Sequence, residues 1–218
     1  GWVCAKYGED IRLGKIIEEV RQYQKGMLCA DRTVGGLYEN YITPEQTIPE
    51  KPLLVPCITL GTSFSFKYED QYKTAKEVIL LLLDIIAKGG NLAINVGPQP
   101  DGRLPEPAIH TIEEMGVWLK QYADAIYSTR PCVPYKKESI AFTKKDNQVY
   151  AFEMFDGGHQ PQSTTFIPYV GEVSDVLLLP CKTAVPFEIK EGGYVITNQG
   201  RPDSIARVYA LTVPKDEI

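Results

Sequence analysis

The longest apolar pattern in the chain runs from Lys73 to Gly102 and predicts a helix, a strand and an ordered loop. Apolar residues recur there at helical spacing until the pair Gly89-Gly90, where a helix ends most easily. The next run, residues 92–96, is apolar except for Asn95, as is typical of a parallel strand covered on both faces. A helix, a tight reversal and a strand within about thirty residues have the size of one α/β unit.

Weaker patterns of the same kind precede and follow this unit. An apolar stripe predicts a helix that runs to about Gln24, with Glu9 or Asp10 as its cap. The other elements predicted in this part are two short strands and an amphipathic helix, at 27–30, 57–60 and 106–127. A helix that leads into an apolar strand ending in charge, at Asp31-Arg32, fits an α/β barrel, a fold that keeps its chemistry at the C-terminal ends of its strands.

The pattern changes at the sequence Ser-Thr-Arg-Pro, residues 128–131. Beyond it no helical period remains, and short apolar or alternating runs are separated by turn residues. The predicted strands lie at 139–143, 149–155, 173–179, 187–189, 194–197 and 205–213. About six short strands with regular turns predict a β-sandwich. We therefore expect an α/β part at residues 1–131 and an all-β part at residues 132–218.

Composition and charge narrow the classes of partner. At 218 residues, with 44% hydrophobic and 23% charged residues, the chain has an ordinary globular composition. The net charge of −5 and the lack of any basic block argue against nucleic acid as a partner. No apolar run reaches the roughly 18 residues that a membrane span needs. The N-terminal sequence has no signal-peptide pattern, but it begins inside a predicted structural unit, so the compartment stays open.

Cysteine and histidine usage argues against several kinds of site. The five cysteines are scattered without CxxC spacing and the two histidines lie far apart, which disfavours a metal site and a disulfide framework. Neither His110 nor His159 stands near a nucleophile motif, so a serine or cysteine triad is not predicted. The glycine pairs lack the pattern of a phosphate-binding loop. No cofactor is expected.

Residues 33–56 form a long irregular segment that is rich in proline, tyrosine and glutamate. Loops of this length inside a compact fold are usually functional. Glycoside cleavage needs two carboxyl groups, and this segment offers Glu39, Glu45 and Glu50, although a loop glutamate is more often simply solvated. Arg32 follows a predicted strand, and its planar fork suits either bidentate contact with a polar ligand or an ion pair with a neighbouring carboxylate.

Several strings of residues recur together in one family of enzymes. The most specific is Gly-Gly-Asn-Leu-Ala-Ile-Asn-Val-Gly-Pro at 89–98 with Asp-Gly at 101–102. The others are Cys-Ile-Thr-Leu-Gly-Thr-Ser-Phe-Ser-Phe at 57–66, Ala-Ile-Tyr at 125–127, Thr-Arg-Pro at 129–131, Asp-Arg-Thr-Val-Gly-Gly at 31–36 and Thr-Pro-Glu-Gln at 43–46. With these strings the chain resembles the retaining α-L-fucosidases of glycoside hydrolase family 29, and the last two resemble the branch that acts on α-1,3/1,4-linked fucose.

The resemblance implies a TIM-like (β/α) barrel with its site at the strand ends, followed by an antiparallel β-sandwich. The reaction would be release of α-linked L-fucose from glycans by retaining double displacement. Glu45 would be the general acid/base, a role that needs a carboxyl pKa raised towards neutrality. Arg32 would help to hold the fucose, and Trp2 and Tyr38 would be walls of its pocket.

The same resemblance implies that part of the machinery lies outside the chain. The family's nucleophile is an aspartate at a strand end, and its position would fall just before Gly1. Some branches take their acid from a glutamate next to the strand at 57–60, but Leu54, Val55 and Pro56 stand there, which leaves Glu45. Residues 1–131 are about half of the ~250 that a barrel typically needs. We therefore predict a C-terminal half-barrel plus sandwich that is inactive alone and associates through the incomplete barrel.

Two other hypotheses stay open. The chain could be a non-catalytic carbohydrate-binding module, in which the sandwich or the aromatic residues Phe64, Phe66 and Tyr68 grip a sugar. It could also be an orphan barrel fragment that needs a partner chain. Saturable glycan binding without hydrolysis favours the carbohydrate-binding module. A chain that stays monomeric counts against the orphan fragment. A fucosylated oligosaccharide or glycoconjugate is the expected ligand of the enzyme.

Overall fold

The computed structural model describes residues 12–30, 40, 43, 55–200 and 202–214. The first half of this part is helical with two short strands: α1 (Leu13–Tyr23), β1 (Cys57–Thr59), α2 (Ala75–Ala87), β2 (Ala93–Asn95), α3 (Glu106–Gln121) and α4 (Ala123–Ile126). The second half contains strands only: β3 (Arg130–Lys137), β4 (Ile140–Lys145), β5 (Gln148–Met154), β6 (Thr164–Ile167), β7 (Asp175–Leu178), β8 (Thr183–Ala184), β9 (Phe187–Lys190), β10 (Gly193–Thr197) and β11 (Ala206–Thr212).

Helix α2 is the central element of the first half. The hydroxyl of Thr74 accepts from the amide of Glu77, whose carboxylate accepts in return from the amide of Thr74, so a capping box begins the helix. The helix is apolar nearly all round and is buried accordingly. It ends where Gly89 adopts a positive φ of 78°, a conformation that favours glycine.

The predicted α/β unit is present, with one difference. Strands β1 and β2 pair in parallel, with Cys57 opposite Ala93 and Thr59 opposite Asn95. All three residues of β2 are only half-buried, although its apolar sequence predicted cover on both faces. The part of the chain that the structure describes gives β2 a strand neighbour on one side only, which explains the lower burial.

The outer elements of the first half differ from their predicted bounds. Helix α1 begins at Leu13, with Arg12 in the left-handed region at its N-cap, and the predicted caps Glu9 and Asp10 lie outside the described residues. Within residues 27–30, only Ala30 makes a strand-type bridge. The single helix predicted at 106–127 is divided at Tyr122 into α3 and α4.

The second half consists of two antiparallel sheets. Six strands form one sheet in the order β3-β4-β5-β11-β7-β8, and three form the other in the order β6-β10-β9. The six predicted strands all occur, with ends shifted by a few residues. The strands β3, β6 and β8 were not predicted: β3 contains two prolines and a bulge, β6 follows a polar stretch, and β8 has two residues.

Two large apolar cores, and a smaller cluster around Leu60, hold these elements together. One fills the space between the two antiparallel sheets, where Phe142, Ile196 and Tyr209 are fully buried. The other joins helices α2, α3 and α4 to the opposite face of the six-stranded sheet. Polar contacts reinforce this second junction, since Lys136 of β3 binds Asp84 of α2 at 2.8 Å and the hydroxyl of Thr143 donates to Ala125 O at 2.9 Å.

Candidate active site

The four residues predicted to act on the substrate, Trp2, Arg32, Tyr38 and Glu45, lie outside the described residues. Their roles therefore stay predictions. The structure describes the point where β1 and β2 finish. The amide of Leu60 donates to Asn95 O at 2.9 Å and extends the parallel ladder by one bond. The chain then leaves both strands on the side where an α/β fold places its ligands.

The segment that follows β1, residues 61–72, is an ordered loop that we call the aromatic loop. The carboxylate of Asp70 accepts from the amide of Thr62 at 3.1 Å and from its hydroxyl at 2.5 Å. A Cβ at Gly61 would collide with the same carboxylate, so only glycine permits this closure. Lys73 then fixes the base of the loop, because its Nζ donates to Thr59 O at 2.8 Å.

Strand β2 supports the aromatic loop from the other side. The side-chain amide of Asn95 donates to Phe64 O at 3.2 Å, while its Oδ1 is buried and has no partner among the described residues. Gly97 lies directly against the backbone of Ser65 and Phe66, where a Cβ would collide. The two strand ends therefore fix the path of the loop at its aromatic residues.

The loop presents aromatic side chains to the outside. Phe64 is 43% exposed and Tyr68 is 80% exposed. Phe66 packs edge-on against Tyr68, with ring centroids 5.0 Å apart. A large exposed aromatic group beside the strand ends of an α/β fold can cover the apolar C–H face of a sugar ring.

Asp70 does not have the properties of a general acid. The hydrogen bond from the Thr62 hydroxyl is the main reason why the pKa of Asp70 lies below its ordinary value, and the backbone amides of Thr62 and Gln71 act in the same direction. A carboxyl group that donates a proton at neutral pH needs the opposite shift. The role of Asp70 is to hold the loop, and the acid must come from elsewhere.

Neither metal binding nor disulfide formation is indicated in the described part of the chain. The four cysteines described there, Cys29, Cys57, Cys132 and Cys181, are free. No group of three or more potential ligands converges among the described residues. Within the same ranges, no helix combines the length and the apolar character needed to cross a membrane.

A cavity of about 680 Å³ lies beside β2 rather than at the strand ends. Its walls are mostly apolar and include Ile86, Leu92, Ile94, Met115 and Leu119. Lys88 and Arg130 are the charged residues among its described lining. We call it the flank cavity.

Comparison with known proteins decides the family. The profile of the family described as Alpha-L-fucosidase matches residues 1–124, more than half of the chain. The chain belongs to the alpha-L-fucosidase family. This confirms the assignment to glycoside hydrolase family 29 that the sequence motifs implied.

Individual fucosidases agree with this assignment. The alpha-L-fucosidase of Branchiostoma floridae is 28% identical over 165 residues, which are 72% of this chain and 36% of the relative. That of Dictyostelium discoideum is 26% identical over 183 residues, covering 74% of this chain and 38% of the relative. The chain thus spans less than half the length of these curated relatives.

Solved fucosidase structures share the fold. Alpha-L-fucosidase isoenzyme 1 from Paenibacillus thiaminolyticus superposes with a TM-score of 0.79 at 24% identity, covering 92% of this chain and 53% of that one. The Thermotoga maritima alpha-fucosidase gives 0.79 at 23% identity, covering 92% and 49%. The fold is mixed helix and sheet, with antiparallel sheets in the second half.

Sequence reasoning identified the strings at 57–66 and 89–98 but not how they fit together. The contact of Asn95 with the aromatic loop and the closure of that loop by Asp70 were not predicted. A glycine directly after each predicted strand, at positions 61 and 97, was the available signal. It indicates close backbone approach without saying what approaches.

Proposed function

We propose that this chain is the C-terminal portion of a retaining α-L-fucosidase. Residues 1–131 would form the second half of a (β/α) barrel, and residues 132–218 an antiparallel β-sandwich. The match of the family profile to residues 1–124 is the observation that carries the proposal. The parallel pairing of β1 and β2 and the two antiparallel sheets are compatible with it.

In the proposed mechanism two carboxyl groups act in turn. An aspartate outside this chain attacks the anomeric carbon of an α-linked fucose, while Glu45 protonates the departing oxygen. Glu45 then takes a proton from the water that hydrolyses the fucosyl-enzyme. Arg32 holds the hydroxyl groups of the sugar, with Trp2 and Tyr38 as apolar walls. The aromatic loop, through Phe64, would add a wall at the strand ends.

The flank cavity supports the proposal of an incomplete barrel. Ile94 of β2 and Leu119 of α3 are half-buried beside it, and β2 has a described strand neighbour on one side only. An unpaired strand next to an apolar cavity favours the addition of another strand and helix. We propose that the preceding part of the barrel packs here.

The proposal is tested with an aryl α-L-fucoside. The pure 218-residue chain should give no turnover, because the nucleophile is missing. Co-expression with the polypeptide encoded directly upstream should restore turnover, and Glu45→Gln should then abolish it. Glu50→Gln, another glutamate of the same segment, is the matched control and should retain activity. Turnover by the chain alone, or activity that survives Glu45→Gln, would contradict the proposal.

A carbohydrate-binding module is the second candidate, and the exposure of Phe64 and Tyr68 is the observation that favours it. It predicts saturable binding of a fucosylated oligosaccharide by the 218-residue chain, lost in Phe64→Ala. It also predicts that no upstream segment confers hydrolysis. The two candidates are therefore separated by the co-expression experiment.

A further inference from the structure

The antiparallel half contains a buried polar cluster that the proposed reaction does not use. Glu153 of β5 and Arg207 of β11 are 1% and 4% exposed, and Arg207 Nη1 donates to Glu153 Oε2 at 2.9 Å. Thr165 of β6 donates to the same oxygen at 2.9 Å. Removing two charges from water is costly, and an apolar pair of the same volume is often as stable. Stability alone therefore does not explain why an ion pair is buried at this position.

The cluster reaches solvent at His159. His159 is partly exposed, and its Nε2 lies 2.9 Å from Glu153 Oε1. Because a carboxylate only accepts hydrogen bonds, a neutral His159 carries its proton on Nε2, which leaves Nδ1 as an acceptor. The ring stacks on Phe155, with centroids 5.9 Å apart. Described residues use three of the about four acceptor positions of the Glu153 carboxylate.

A small cavity lies over this point. Its volume is about 200 Å³, and its lining includes Lys137 at the end of β3, the following turn (Glu138, Ser139) and residues of β6. The described pairing makes β6 an edge strand, with β10 as its neighbour, and Thr164 and Thr165 of β6 line the cavity. Phe166 of β6 is 44% exposed and forms part of the wall. We call this cavity the edge cleft.

Size and charge restrict what the edge cleft can take. A cavity of about 200 Å³ is smaller than the ~300–1,000 Å³ of sites for drug-sized ligands, so it fits one ring. The positive charges of Lys137 and Arg207 balance the negative charges of Glu138 and Glu153, which favours a neutral ligand. Donors and acceptors next to an aromatic face match a molecule with hydroxyl groups and one apolar side.

We infer that the edge cleft binds a single neutral sugar ring. Hydroxyl groups of the sugar donate to the remaining position of Glu153 and to His159 Nδ1, and accept from Lys137. Its C–H face covers Phe166. The buried pair with Arg207 fixes the Glu153 carboxylate in position before the ligand arrives. The site is independent of the proposed catalytic function, because none of its residues lies at the ends of β1 or β2.

The test is titration of the 218-residue chain with L-fucose, D-galactose and D-glucose. Amide NMR and calorimetry monitor the binding. At least one sugar should saturate and shift the signals of Thr165 and Phe166. His159→Ala should weaken its binding by about tenfold, the usual effect of losing one hydrogen bond in a charged network. Phe166→Ala should weaken it severalfold.

Two controls keep the result specific. Ile189→Ala removes an exposed apolar side chain from β9 of the same three-stranded sheet, outside the cleft, and should leave binding unchanged. Phe64→Ala, in the aromatic loop, separates the edge cleft from the second candidate site, because only a sugar bound at that loop depends on Phe64. Each variant must keep the wild-type circular dichroism spectrum. If His159→Ala does not fold, the binding of Phe166→Ala tests the inference instead. Phe166 is already half exposed, so its removal leaves the fold intact.

Three outcomes would overturn the inference. The first is that none of the three sugars shows saturable binding at concentrations up to about 50 mM. The second is binding that neither His159→Ala nor Phe166→Ala weakens. The third is binding that Phe64→Ala alone abolishes, which would assign the sugar to the aromatic loop. Activity of the co-expressed enzyme is a separate measurement, so failure of this inference leaves the proposed function untouched.

Discussion

Asp84 shows how one residue connects the helical half to the sheets. Its carboxylate binds Lys136 of β3 at 2.8 Å and Lys88 of its own helix at 3.0 Å. Burial acts to raise the pKa of Asp84, but the hydrogen bonds and charges of the two lysines outweigh it, so the pKa lies below its ordinary value. The ionised form is therefore favoured by folding.

The lowered pKa predicts how stability depends on pH. The contribution of Asp84 is fully present above the unfolded pKa of about 3.9 and is lost as the pH falls through the lower folded value. Asp84→Asn should cost about 1–3 kcal/mol at pH 7 and much less at pH 2. Urea unfolding at the two pH values measures the difference. Asp124→Asn, which removes an exposed ion pair with Lys182, should cost little at either pH.

The glycines at close approaches give a second prediction. Gly97→Ala should destabilise the chain by about 1–3 kcal/mol, because its methyl group would collide with the backbone of the aromatic loop. Gly116→Ala, within α3, meets open space and should stabilise the chain by about 0.5–1 kcal/mol. Thermal unfolding of both variants tests the pair. Equal effects of the two substitutions would contradict the packing described for β2 and the loop.

At the scale of elements, some predictions were robust because several local signals agreed. Helix α2 had an apolar run at helical spacing and a terminal glycine pair, and it occurs where expected. Strand β3 was missed because Pro131 and Pro134 argue against a strand; it tolerates them at the edge of the sheet. The pairing of Glu153 with Arg207 joins residues 54 positions apart, and no local pattern in the sequence reveals such a contact.

The capping box of α2 makes the third prediction. Thr74→Ala removes the hydroxyl that accepts from the amide of Glu77 and should cost about 1 kcal/mol of unfolding free energy. Thr183→Ala, an exposed threonine of the short strand β8, is the matched control and should change stability by less. Denaturant titration measures the free energy of unfolding of both variants. A Thr74→Ala variant as stable as the control would show that the cap is dispensable.

At the scale of the whole molecule, the flank cavity predicts association. Sedimentation of the chain alone should show concentration-dependent self-association, because half-buried apolar residues line this surface. Leu119→Lys should reduce it. Val117→Lys is the control: it lies on the same helix, is 60% exposed, and lines a different cavity. A monomer at all concentrations, with no effect of either variant, would contradict the proposed docking of further barrel elements.

The core that helices α2, α3 and α4 share with the six-stranded sheet has a consequence for how the chain unfolds. Apolar residues from both halves lie in one cluster, and the hydrogen bonds from Thr143 to Ala125 and from Lys76 to Ser204 cross the same junction. Exposing either half's side of that cluster to water would cost hydrophobic free energy. We therefore expect one calorimetric transition, with the change in sequence pattern near 128–131 marking a change of architecture within a single cooperative unit.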